Sequence, residues 1–87
     1  MSREFNVDYT VSIYPSVEMM NKMGYKSMYD MSDDLEDMVK TNYPGLIEDR
    51  YCQFDPESEG FMVYCTSKDV QETIENEFKE LMNFCGL

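Results

Sequence analysis

Apolar and polar residues alternate with period two over residues 5–14. Phe5, Val7, Tyr9, Val11 and Ile13 fall on one side, and Asn6, Asp8, Thr10, Ser12 and Tyr14 on the other. This is the pattern of a strand with one covered face and one wet face. Pro15 ends it, because proline has no N–H to give to the ladder. Ser16 is placed to cap a short helix over residues 17–23, with Gly24 as its stop. Residues 25–31 fit either an extension of that helix or a loop. Ser32 or Asp33 is the expected cap of a second helix over residues 34–42. Asp33 and Glu36 have capping-box spacing, and Leu35, Met38 and Val39 form an apolar stripe. Tyr43-Pro44-Gly45 reads as its terminator.

Residues 46–54 read as a second strand, interrupted on one face by Glu48 and Arg50, and residues 61–66 as a third. Between them, Asp55-Pro56-Glu57-Ser58-Glu59-Gly60 is turn chemistry, so residues 46–66 form an expected antiparallel hairpin. The clearest helix comes last. Thr66 or Ser67 caps it, and Val70, Ile74, Phe78, Leu81, Met82 and Cys85 recur at threes and fours as one stripe. Gly86 stands where such a helix ends. The order β-α-(α)-β-β-α predicts an α+β two-layer sandwich: a three-stranded antiparallel sheet with helices on one face. At 87 residues the chain is a single small domain, residues 1–87, near the size at which burial becomes marginal.

Charge changes this picture most. Fifteen of the eighteen acids lie in residues 30–87 against four bases, so that stretch carries the whole net charge of −11. In residues 1–29, three acids and three bases cancel. A domain charged in this way attracts cationic surfaces and repels both nucleic acid and anionic membrane, because association with phosphate depends on Lys and Arg. The candidate contact acids are Asp30, Asp33, Asp34, Glu36 and Asp37 near the second helix start, Glu57 and Glu59 in the turn, and Asp69, Glu72, Glu75 and Glu80 on the last helix. Solvated acidic helix faces are the ordinary alternative. The size and confinement of the excess favour a contact role. Met19, Met23, Tyr25, Met28 and Tyr29 form a second candidate set, apolar and suited to a partner, in competition with plain core packing.

Catalytic and cofactor chemistry finds little to stand on. With no histidine, the usual general base and commonest metal ligand are missing, and the four glycines are isolated. Asp55–Gly60 imitates the first half of a calcium loop, but Thr66 occupies the position of its bidentate glutamate. Cys52, Cys65 and Cys85 lack metal-ligand spacing and read as small apolar residues of a reducing cytoplasm, with Cys52 and Cys65 facing each other across the hairpin. No signal peptide and no membrane-length apolar run is evident. The expectation is a non-catalytic, cytoplasmic protein with no cofactor. It would occlude the basic nucleic-acid-binding surface of a nuclease or related complex, by analogy of size and charge with small acidic anti-defence inhibitors and DNA mimics of phages. It would bind neither nucleic acid nor membrane directly. The alternative is a regulatory or structural subunit that binds through the Met/Tyr segment. Either reading allows a monomer or a homodimer formed through a sheet edge.

Overall fold

The computed structural model describes Phe5 and residues 7–86. Its elements are β1 (Val11–Ile13), α1 (Val17–Met23), α2 (Met28–Asn42), α3 (Pro44–Glu48), β2 (Cys52–Pro56), β3 (Phe61–Cys65) and α4 (Lys68–Phe84). The strands form one antiparallel sheet in the order β1-β3-β2. The expected α+β architecture is therefore present, with α3 as an additional element.

Register explains how the alternation becomes a core. Val11 pairs with Val63 and Val63 with Phe54, Ile13 pairs with Phe61, and Cys52 pairs with Cys65. All of these side chains point to one face. Met28, Met31, Leu35 and Val39 of α2 and Val70, Ile74 and Leu81 of α4 close that face. Leu35, Met31 and Ile74 are fully buried, and truncating a side chain of this kind to alanine costs about 2–5 kcal/mol. The opposite face carries Ser12, Met62, Tyr64, Gln53 and Asp55. Tyr64 donates a hydrogen bond to Asp55 there, and Phe5 lies against the Tyr64 ring at 6.3 Å.

The helix caps follow local chemistry. Ser16 Oγ accepts from Met19 N at 3.1 Å, and Gly24 closes α1 at φ 82°, a left-handed conformation that costs glycine nothing. Ser67 Oγ accepts from Val70 N at 3.3 Å and starts α4.

Three expectations are corrected. The strand predicted over residues 5–14 is real only at Val11–Ile13. Val7–Tyr9 is a 3-10 turn closed by Thr10 N donating to Val7 O at 3.2 Å, while Asn6 lies outside the described residues. The second helix begins at Met28 and not after Ser32. Ser27 Oγ accepts from Asp30 N, and Ser32 is buried among the residues facing the core. Asp33 and Glu36 therefore lie inside the helix and form no capping box. Residues 46–48 belong to α3, so the second strand starts only at Cys52. Pro44 does not simply stop a helix but opens the next one, at a position where its missing N–H is no loss. Glu77 is 7% exposed and shares the core-facing stripe of α4 with Val70, Ile74 and Leu81.

Candidate interaction surface

α2 and α4 bury one side each in the same core, so their opposite sides form the outer surface of the helical layer. The candidate acids divide accordingly. Asp30, Asp33, Asp34 and Asp37 are exposed on α2, and Asp69, Glu72, Glu75 and Glu80 on α4. Glu36 is half-buried on the flank of α2, near enough for its charge to help raise the Cys52 thiol. Glu57 and Glu59 are exposed in the β2–β3 turn, in the sheet layer and apart from the helical eight. The exposed lysines of the two helices are Lys40, Lys68 and Lys79.

The density of this charge can be compared with that of DNA. The 17 residues of α4 span about 25 Å at 1.5 Å each. A duplex of that length carries ~15 phosphates, about seven of them on the side that faces a protein. Eight carboxylates and three lysines leave a net five negative charges on the layer. Even counted over both helices and their flanks, that is fewer than the roughly seven a duplex turns to one side.

The Met/Tyr segment behaves differently. Met28 is fully buried and presents nothing to a partner; Met23 is a core residue with 8% of its surface exposed. Met19 and Tyr25 are half-buried against the core, and Tyr29 is exposed. Tyr25 Oη donates to Asp34 Oδ2 at 2.7 Å. Its ionisation is pushed well above the ordinary tyrosine value, first by burial, then by that hydrogen bond and by the charges of Asp34 and Asp30. The phenol therefore remains a donor and pins the loop after α1 to α2.

Beside this pair an open groove of about 710 Å³ runs between the end of α1, the middle of α2 and the end of α4. Met23, Met38 and Leu81 form its apolar floor, Phe84 one wall, and Asp34 and Asp37 its rim. Phe84 is 91% exposed, so its ring does not serve the core. Its position, three residues after Leu81 and seven after Glu77, falls on the core-facing side of α4, so its exposure was not legible from the stripe. A second polar feature joins the helices: Asn42 Nδ2 donates to both Glu77 oxygens, at 3.3 and 3.1 Å.

Cys52 and Cys65 are directly opposed, as expected, and are free thiols. Burial raises Cys52 to about 11 and Cys65 to about 12. Among the described residues no group of three or more His, Cys, Asp or Glu is arranged to hold a metal ion, and no helix is long and apolar enough to cross a membrane. No family model, curated protein or solved structure matches the chain.

Proposed function

We propose that this protein is a non-catalytic binding protein that occupies a basic, nucleic-acid-binding surface of a partner and so competes with phosphate. The observation that carries this reading is the set of eight exposed carboxylates on the two neighbouring helices α2 and α4, against three lysines, with Glu75 and Lys79 on the flank of α4 that meets β1. Helices three or four residues to the turn place successive acids about 5–6 Å apart. Two neighbouring helices then present a two-dimensional array where a single row would be too sparse. An array of this kind steers association through the screened field, giving fast, salt-sensitive binding. The same field disfavours nucleic acid and anionic membrane as direct ligands. Support for a non-catalytic role comes from the absence of histidine and from the high ionisation ranges of the two core thiols, which keep them from acting as nucleophiles.

The test is capture of partners from host lysate on the immobilised protein, eluted by a salt gradient and repeated with Glu72→Lys, Glu75→Lys and Glu80→Lys combined. All three side chains are exposed, so the triple variant is expected to fold. The expected result is a nucleic-acid-binding protein that elutes as salt rises, is missing from the triple variant, and loses its DNA or RNA when the wild-type protein is added. Retention through high salt, or equal capture by the folded triple variant, would overturn the reading.

A further inference from the structure

We infer that the groove between α1, α2 and the end of α4 is the docking site for a cationic amphipathic helix of a protein partner. The inference rests on the proposed binding role and adds where the desolvated contact is made and by what. The floor is apolar and includes Met23 and Met38, side chains that adapt to different guests. Phe84 stands at the mouth with 91% of its surface exposed, an aromatic anchor with no role in the core. The rim has one sign only: Asp34 and Asp37 are three residues apart on α2, so their carboxylates lie about 5–6 Å from each other. That is also the spacing of Lys or Arg residues one turn apart on a helix. Charge complementarity therefore selects a basic guest, and apolar area selects one with a hydrophobic stripe.

The form of the guest follows from the walls. They are helices, whose backbone groups are already bonded along their own axes. The groove offers no free strand edge for an extended peptide to join. Recognition falls to side chains, as when an amphipathic helix lies in a groove with anchors at i, i+3, i+4 and i+7. The Tyr25–Asp34 hydrogen bond holds one end of the groove in shape before the guest arrives.

The probe is a synthetic helical peptide of leucines and lysines with one apolar stripe, titrated into isotope-labelled protein and followed by NMR and fluorescence anisotropy. A leucine–glutamate peptide of the same pattern is the control. Amide shifts are expected to concentrate at Met38, Thr41 and Phe84. Phe84→Ala with Asp37→Lys should weaken binding at least about tenfold. Both side chains are exposed, so the fold should survive. Glu72→Lys with Glu75→Lys, outside the groove, should change peptide affinity less than about threefold at physiological salt. Shifts spread over the outer face of α4, equal binding of the glutamate peptide, or binding by the groove variant within about twofold of wild type would each overturn the inference. So would a dimer that dissociates on Phe84→Ala without binding peptide, since the groove would then belong to a second copy. The two proposals fail separately. Loss of lysate partners in the Glu72/Glu75/Glu80 variant but not in the groove variant removes the groove and leaves the acidic surface. The converse removes the acidic surface.

Discussion

Replacing Asn42 with alanine tests the one buried carboxylate of the helical layer. Glu77 is 7% exposed, and both of its oxygens accept from Asn42 Nδ2. A hydrogen bond to a charged group contributes about 1.5–3 kcal/mol, and an orphaned buried polar group costs a similar amount. Asn42→Ala should therefore destabilise the fold by about 2 kcal/mol, which for a domain of this size lowers Tm by roughly 8–16 °C. Glu77→Gln keeps the shape and one acceptor oxygen and should cost less than Asn42→Ala. Asn42→Ala combined with Glu77→Leu removes both partners and fills the site with apolar volume, so it should recover most of the loss. Urea and thermal unfolding of wild type, Asn42→Ala, Glu77→Leu and the double variant complete the cycle, with Glu77→Gln measured beside them, all read at constant m-value so that only stability is compared. If Asn42→Ala and the double variant prove equally unstable, Glu77 was not relying on Asn42, and the bond between α2 and α4 contributes little.

Gly60→Ala should destabilise by about 1–3 kcal/mol or disrupt the β1–β3 pairing, measured by urea unfolding; a Cβ there would lie 2.3 Å from the Tyr14 ring and 2.5 Å from the Ile13 carbonyl oxygen, and the carbonyl cannot yield. Ser67→Ala should cost about 1 kcal/mol by removing the cap on Val70 N, and Ser67→Asp should restore it. Cys52 and Cys65 ionise near about 11 and about 12 when folded, against 9.0 ordinarily, so their contribution to stability is complete below pH 9 and is lost as pH rises from there through 12; the urea midpoint should fall from pH 8.5 to pH 10.5, and fall less in a Cys52→Ala/Cys65→Ala protein. Thiol reagents at pH 8 should modify the half-exposed Cys85 first, and modification of all three at one rate would contradict the buried placement of the other two.

What the sequence disclosed depended on how local its signals were. α1 and α4 were legible end to end because Ser16, Gly24, Ser67 and Gly86 punctuate them and the stripe of α4 is continuous. The hairpin was legible from its turn, but β2 runs two residues into that turn, to Pro56, and this sets the register that opposes Cys52 and Cys65. The elements that escaped are those in which two local signals conflict. Ser27 and Ser32 are equally good caps as residues, and only burial of Met28, Met31 and Ser32 against the sheet decides for Ser27. Pro44 is both a terminator and a good first helical residue, and the chain uses it in the second way. The alternation over residues 5–14 overstated β1 because period two says nothing about whether a partner strand reaches that far; β3 supplies partners only for Val11, Ser12 and Ile13. The candidate acids and their division between helices and turn were readable, but the packing of α2 beside α4 in one layer was not, because it depends on tertiary contacts such as the Asn42–Glu77 hydrogen bonds.

That division also bears on how the protein would approach a partner. The open face of the sheet carries Ser12, Gln53, Met62 and Tyr64, with Asp55 engaged by Tyr64, whereas the helical layer carries eight exposed carboxylates. With Glu57 and Glu59 exposed in the turn and Glu48 and Asp49 at the end of α3, the charge is uneven rather than one-sided, and it is weakest on the open face of the sheet. A uniform shell would keep the protein soluble and leave its encounters unoriented. An uneven field favours approaches that turn the more acidic helical layer, and with it the rim of the groove, toward a cationic surface before contact. Beyond about 8 Å this steering is screened at physiological salt, so at long range it acts on the rate of encounter, while at contact the acids add to affinity. Short-range apolar contact must supply the rest, and the exposed Phe84 ring stands on the same layer. Moving two carboxylates to the other face, by Glu72→Gln and Glu75→Gln with Ser12→Glu and Gln53→Glu, keeps the net charge while reducing the asymmetry. If charge alone mattered, the association rate would be unchanged; if orientation matters, it should fall while the dissociation rate stays nearly constant.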